Sequence, residues 1–384
     1  MPMTAKRDTL FAPDSSTHRY AESLLAEAGI RINGDRPRDI QLHAPGVIES
    51  ALSRANLGLG ESYMRGDWEA EALDEFFHCL MSARLNRRVK PAQLVYHALR
   101  ARLVNLQNIR RAWQVGREHY DLGNEFYAAM LDSRMTYTCG YWKNAANLDE
   151  AQAAKLDLVC RKLGLKPGMR VLDIGCGWGS FMAYAAEHYG VECVGLTVST
   201  EQAEFGKRLM KQGLPVEFRL KDYREEHETF DRVVSIGMFE HVGRKNYREF
   251  MTVAHRCLKD DGLFLLHTIG KNVASTPPDP WIDKYIFPNG EIPSFNRIAE
   301  ATNGLFVLED VHNFGADYDR TLMAWYENFC AHWPAFREQY GETFYRMWRY
   351  YLLSCAGAFR ARELQLWQLV LSKNGVAGGY ARVV

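Results

Sequence analysis

The stretch VLDIGCGWGS, residues 171–180, carries an apolar run that ends at Ile174 and three glycines, Gly175, Gly177 and Gly179, before a helix is expected to open near Ser180. Glycine lets a backbone turn sharply and approach a ligand closely, because no Cβ intervenes. The spacing is GxGxG, not the GxGxxG that seats a dinucleotide pyrophosphate on a helix N-terminus. Asp173 adds a carboxylate beside the turn. A carboxylate suits a ligand with a cationic amino-acid end, as S-adenosylmethionine has, better than it suits a pyrophosphate. The plainer reading is a strand-to-helix turn that holds nothing, but its place at the first strand of a seven-strand pattern argues against that.

The next strand ends in GLTVSTEQ, where methyltransferases commonly place an acidic residue for the ribose hydroxyls; here Thr197, Ser199 and Gln202 are the nearby polar groups. Neutral side chains can hydrogen-bond a ribose or an adenine edge. After the third strand, Asp222 in LKDYRE suits either an adenine amino group or a helix N-cap, and both readings stand.

These residues need a frame to hold them. RVLDIGCG, VECVGLTVS, VEFRLKDY, FDRVVSIGMF and GLFLLHTIG alternate with helical stretches, the rhythm of βαβ units on a parallel sheet. GLFVLEDVHNF and ELQLWQLVLSK supply two further strands, so the expected fold is α/β, a seven-stranded Rossmann-like methyltransferase sheet. Before it the patterns are helical, with GLGESYMRGDWEA as a glycine-punctuated turn. The expected domains are a smaller, mostly helical one over residues 1–110 and a catalytic one over 111–384.

Lys+Arg and Asp+Glu both number 47, so net charge names no partner. Local charge does. Between Ser82 and Arg117 there is no acidic residue, while Arg84, Arg87, Arg88, Lys90, Arg100, Arg102, Arg110, Arg111 and Arg117 are basic. From Pro91 onward Leu94, Val95, Ala98, Leu99, Arg102, Leu103 and Leu106 recur at helical spacing. A helix apolar on one side and cationic elsewhere is either a core helix with a solvated face or a surface for anionic phospholipid. Nucleic acid ranks third, since no binding motif accompanies the charge. The 8 cysteines lie scattered without metal-ligand spacing, no metal site is expected, and the start MPMTAKRDTL reads as no signal peptide. The expected setting is the cytoplasm. No apolar run approaches the roughly 20 residues that span a bilayer, so membrane contact is expected to be peripheral.

YTCGYW (137–142), VLDIGCGWG, GLTVSTEQ, SIGMFEHVG (235–243), LLHTIG (265–270), KYIFPNG (284–290), HNFGADYDRTLMAWYENF (312–329) and CAGAFRAR (355–362), in that order, resemble cyclopropane-fatty-acyl-phospholipid synthases. GLGESYMRGDWE extends the resemblance toward the amino terminus; residues before about 38 carry no matching motif. The resemblance implies transfer of a methylene from S-adenosylmethionine across a cis double bond of a phospholipid acyl chain, on the inner face of the membrane, by a homodimer. It implies that Tyr137 joins Asp173 and the glycine turn at the cofactor. It also implies a bound bicarbonate ion as the base, gathered by Cys139, Glu240, His267, Tyr318 and the backbone at Ile269.

That chemistry makes demands the residues can meet. Methyl transfer to an alkene leaves a carbocation that water would quench, so the site must be dry. Aromatic faces stabilise such a cation by about 0.5–2 kcal/mol each. Tyr137, Tyr141, Trp142, Phe239, Tyr318 and Trp325 are candidates, some of them expected to be ordinary core. Taken singly, Cys139 reads as a small buried hydrophobe and His267 as a hydrogen-bonded histidine at a strand end. Two other readings compete: simple methylation of a lipid or amine on the same fold, and a membrane-binding module whose glycine turn is vestigial.

Overall fold

The computed structural model describes residues 16–85, 123–274 and 278–384. The basic stretch from Arg87 to Arg117 therefore lies outside the described residues, and with it the helix expected from Pro91. The described residues form two compact units: one from within 1–104, 277–288 and 330–363, the other from within 105–276, 289–329 and 364–384.

The first unit carries the helices Ser16–Glu27 and Leu73–Ser82, the helical stretch Val47–Met64, which is broken by a kink at Ala55, and a two-stranded pairing of β1 (Gln41–Leu42) with β2 (Trp68–Glu69). Its centre is aromatic, with Trp68 against Tyr63 at 5.0 Å and Tyr350 against Trp281 at 4.5 Å between ring centroids. GLGESYMRGDWEA is not one glycine turn. Gly58 and Gly60 sit inside the helical stretch Val47–Met64, and only Gly66, at φ 82°, makes the turn that follows. Gly60 is needed for close approach, because a Cβ there would run into the Trp281 indole. Gly60→Val is expected to lower stability by about 1–3 kcal/mol through overpacking. Denaturant unfolding would check it, and an unchanged midpoint would show that the ring yields freely.

The second unit is built on a seven-stranded sheet, ordered β5-β4-β3-β6-β7-β9-β8. Its strands are β3 (Arg170–Ile174), β4 (Glu192–Thr197), β5 (Val216–Leu220), β6 (Phe230–Ile236), β7 (Leu258–Lys271), β8 (Val307–Asn313) and β9 (Leu364–Ser372). The five strands expected from the βαβ rhythm pair in parallel. The last two complete the sheet as expected, β9 running antiparallel between β7 and β8. Alternation along each strand sorts side chains to two faces. Leu172, Ile174, Val233, Phe264 and Leu266 enter one core with the helices Tyr247–Cys257 and Phe295–Thr302. Val171, Val234, Leu263 and Leu265 enter the other with Leu148–Lys162 and Ser180–Tyr189. Covered on both faces, the central strands read as continuous apolar runs, which is why they were visible in the sequence.

Strand order reverses at β3, with β4 and β5 to one side and β6 and β7 to the other. In open α/β sheets, ligands bind beyond the carboxyl ends of the strands at such a switch point.

Candidate functional site

Every cofactor and base residue anticipated on the five parallel strands falls at or just beyond a strand's carboxyl end: Asp173 and the glycines at β3, Thr197 to Gln202 at β4, Asp222 at β5, Glu240 at β6, and His267 with Ile269 at the end of β7. The topology, rather than sequence proximity, assembles them.

At β3 the backbone is left-handed at Gly175, Gly177 and Gly179, with φ of 84°, 54° and 83°. The N–H groups of Gly175 and Cys176 both donate to the Leu196 carbonyl at 3.0 Å, stapling the turn to β4. A Cβ at Gly175 would press on Met238, whereas one at Gly177 would meet nothing within 4 Å among the described residues. Asp173 is 3% exposed, and its Oδ1 has no hydrogen-bond partner among the described residues. Burial pushes its carboxyl up to about 7, against the pull of the Lys155 charge. An unpartnered buried carboxylate is costly unless a cation meets it.

The neutral trio after β4 is tied together. Ser199 caps the helix Thr200–Leu209, accepting from the Gln202 N–H at 3.2 Å, and its own N–H donates to the Thr197 hydroxyl at 3.1 Å. Asp222 shows the capping arrangement: it accepts from the Arg224 N–H at 2.9 Å and pairs with that guanidinium at 2.9 Å. The helix-cap reading of Asp222 is thus present in the structure, and any adenine contact would be additional to it.

Beyond β6, Glu240 lies in the short 3-10 turn Phe239–His241, and its Oε1 accepts from the Ile269 N–H at 2.6 Å. Oε2 is buried and has no partner among the described residues; the nearby Thr268 hydroxyl is committed to the Ile269 carbonyl at 3.0 Å. Burial pushes the Glu240 carboxyl up to about 7. His267 is 1% exposed, with Nδ1 at 3.2 Å from the Gln368 amide nitrogen. That amide donates, so the ring hydrogen sits on Nε2, which is buried and without a partner among the described residues. Burial, then the charges of Lys155 and Lys162, hold the ring well below its ordinary value and therefore neutral. The Gly237 N–H donates to the His267 carbonyl at 2.9 Å, which ties the Glu240 loop to β7.

Cys139 and Tyr318 arrive from other elements. Thr321, near the start of the helical stretch Asp317–Arg360, which is broken by a kink at Gly341, accepts from the Gly140 N–H at 3.1 Å and from Trp142 Nε1 at 2.9 Å, and Asp317 accepts from the Trp142 N–H at 2.7 Å. These bonds pin YTCGYW to the start of that helix, one turn of which carries Tyr318. Burial pushes the Cys139 thiol well up, so it remains a neutral thiol. Cys139 Sγ lies 3.2 Å from the Gly140 carbonyl oxygen and 4.0 Å from Thr321 Oγ1.

The aromatic candidates divide. Trp178, Tyr127, Tyr137, Trp325 and Tyr318 form a continuous series with centroids 5.3, 5.3, 5.1 and 6.0 Å apart, running from the glycine turn to Tyr318. Phe239 instead stacks on Tyr247 at 4.3 Å within the core and is an ordinary core residue. Tyr141 packs on Phe314 at 5.3 Å, and Trp142 lies under the Arg320 guanidinium at 4.4 Å. Sequence reasoning passed over Tyr127, Gln152, Lys155, Trp178, Thr321 and Gln368. Trp178 lay inside the quoted glycine turn and Thr321 inside the quoted 312–329 motif; Gln368 and Lys155 gave no signal, because their partners are about 100 and 17 residues away.

The family model for mycolic acid cyclopropane synthetase matches residues 107–369. A cyclopropane-fatty-acyl-phospholipid synthase of Escherichia coli strain K12 is 53% identical over 373 residues, 96% of each chain. The solved cyclopropane synthase MmaA2 of Mycobacterium tuberculosis superposes with a TM-score of 0.64 at 34% identity, covering 70% of this chain and 100% of that one. The mycolic acid cyclopropane synthase CmaA1, solved with S-adenosylhomocysteine (SAH) and CTAB, gives 0.63 at 36% identity, covering 68% and 98%.

Proposed function

This chain belongs to the mycolic acid cyclopropane synthetase family and is an S-adenosylmethionine-dependent C-methyltransferase, and from that premise we propose that it adds a methylene across a cis double bond of membrane phospholipid acyl chains. The observation that carries the ring-forming step is the pair of buried groups Glu240 Oε2, in the turn after β6, and His267 Nε2, near the end of the adjacent β7, neither with a partner among the described residues. Methyl transfer to the alkene leaves a carbocation that must lose a proton, and closing the ring requires that this proton leave the added methyl, for which a buried acid–base pair beside the pocket provides the groups.

In this reading Asp173 meets the cationic amino-acid end of S-adenosylmethionine, and Gly175, Gly177 and Gly179 let the backbone come close to it. Thr197, Ser199, Gln202 and Asp222 face the ribose and adenine, and Tyr137 borders the reacting sulfonium. The alkene attacks the methyl, and the aromatic series from Tyr137 to Tyr318 stabilises the carbocation and excludes water. Bicarbonate, held by Cys139, Glu240, His267, Tyr318 and the backbone of Ile269, would supply the base for the departing proton. The residues fit a small anion: neutral His267 donates through Nε2, the Cys139 thiol and Tyr318 hydroxyl are further donors, and Glu240 orients the assembly through its free oxygen.

The basic stretch from Arg84 to Arg117, in an N-terminal domain of about 110 residues, is proposed to dock the protein on anionic lipid at the inner face of the membrane, at about 1 kcal/mol per basic residue. No helix among the described residues is long and apolar enough to cross a membrane. A homodimer is proposed by likeness to the family alone.

Incubation with unsaturated phospholipid vesicles and labelled S-adenosylmethionine, followed by mass analysis of the acyl chains, tests the reaction. A gained methylene with loss of the double bond is expected; a methyl-branched chain would leave a methyltransferase without ring closure. Replacing Arg87, Arg88 and Arg111 by Gln is expected to weaken binding to anionic vesicles and flatten its salt dependence. Unchanged binding would make the stretch a solvated face.

A further inference from the structure

The helix Leu148–Lys162 presents Gln152 and Lys155, both 0% exposed, to the segment that holds Tyr137 and Cys139. Gln152 Nε2 donates to the carbonyls of Thr138 at 2.7 Å and Thr136 at 3.3 Å. Lys155 Nζ donates to the Thr138 hydroxyl at 2.9 Å, and the Ala151 carbonyl accepts from the Tyr141 N–H at 2.9 Å. Thr138 is therefore gripped through backbone and side chain alike. It stands between Tyr137, on the cofactor side, and Cys139, on the base side, and its methyl fills the place a Cβ on Gly237 would take.

A buried ammonium with a single hydrogen bond carries a large desolvation cost, which nearby negative charge must offset. The groups that feel Lys155 are Asp132, Cys139, Asp173 and His267, drawn from both halves of the site. The titratable groups electrostatically coupled to Asp173 are Lys155, Cys176 on the glycine turn and Cys193 on β4. Lys155 is the one cation among them.

We infer that Lys155 is a positioning residue: it fixes Thr138 between the cofactor turn and the proton-removing pocket, and it supplies the buried positive charge opposite Asp173. The inference rests on the assignment of Asp173 to the cofactor's amino-acid end. Burial raises the Asp173 carboxyl to about 7 and the Lys155 charge pulls it down. Removing that charge raises it further, so the carboxylate that receives a cationic ligand is lost at a higher pH.

The test uses SAH titrated calorimetrically into the full chain from about pH 5 to 9. Wild-type affinity is expected to rise with pH along an acid limb set by Asp173. In Lys155→Met that limb is expected to move up by about one pH unit. Thr138→Val, which keeps the charge and loses the hydrogen bond, is expected to lower kcat on unsaturated vesicles about tenfold without moving the limb, and Thr138→Ser to restore kcat. A limb that stays in place in folded Lys155→Met, or wild-type kcat in Thr138→Val, overturns the inference. If Lys155→Met does not fold, the Thr138 pair decides. Wild-type affinity with no acid limb instead overturns the Asp173 assignment beneath it.

Discussion

Glu240→Gln is expected to lower kcat by about 10²- to 10⁴-fold, the range for a lost proton-transfer group, while affinity for S-adenosylmethionine stays near that of the wild type. The substitution is nearly isosteric, so the Ile269 N–H can still donate to the retained carbonyl oxygen. What disappears is the free Oε2 and the capacity of the carboxyl to ionise. Because burial sets that carboxyl to about 7, wild-type kcat is expected to rise with pH through this region and the variant's profile to lose the rise. Unfolding would not account for the loss. A folded value raised above the unfolded one favours the fold fully at acid pH, and that contribution is lost as pH climbs through about 7. Glutamine never ionises, so the variant should hold its stability at alkaline pH at least as well as the wild type. Steady-state kinetics across pH, with calorimetry for the cofactor, separates these effects; a folded variant with wild-type kcat removes Glu240 from proton removal. Wild-type enzyme that stays fully active after rigorous removal of dissolved carbon dioxide would sink the bicarbonate role and leave Glu240 or His267 as the direct base.

Gly177→Val is expected to weaken SAH binding at least about 100-fold, through backbone strain of about 1–3 kcal/mol and lost ligand contacts together. Its φ of 54° is one a β-branched residue resists. Since a Cβ there would meet no atom within 4 Å among the described residues, these leave room for a side chain, and a loss of binding reports on ligand space. Gly177→Asn separates the two causes, because asparagine tolerates this conformation. If Asn also loses affinity, the space above the turn belongs to the ligand. Unchanged affinity in folded Gly177→Val would count decisively against the cofactor turn. Gly175 is the poorer probe, since a side chain there would displace Met238 whether or not a ligand binds.

The sequence by itself determined the sheet and the turn. RVLDI, ECVGLT and FDRVVSI are read as strands because strands covered on both faces must be apolar throughout, and the left-handed turn after Ile174 must be glycine, so both leave a local mark. Motif order then carried the family. Tertiary structure alone decided what each polar group does. Asp222 was readable equally as a ligand for adenine or as a cap, and the folded backbone shows the cap, with the Arg224 N–H donating to its carboxylate. Phe239 was one aromatic among six until packing on Tyr247 put it in the core. Gly58 and Gly60 read as turn glycines, although Gly58 lets the chain after the kink at Ala55 lie against the Ser50 backbone and Gly60 makes room for the Trp281 ring. The tautomer of His267 depends on Gln368, a strand away and about 100 residues later, and the charge opposite Asp173 depends on Lys155, on a helix of unremarkable pattern. Periodicity and backbone conformation are properties of neighbouring residues, so they are written locally. Desolvation, hydrogen-bond pairing and the electrostatic field of a buried site arise from residues distant in the chain, and these come into being only when the fold closes.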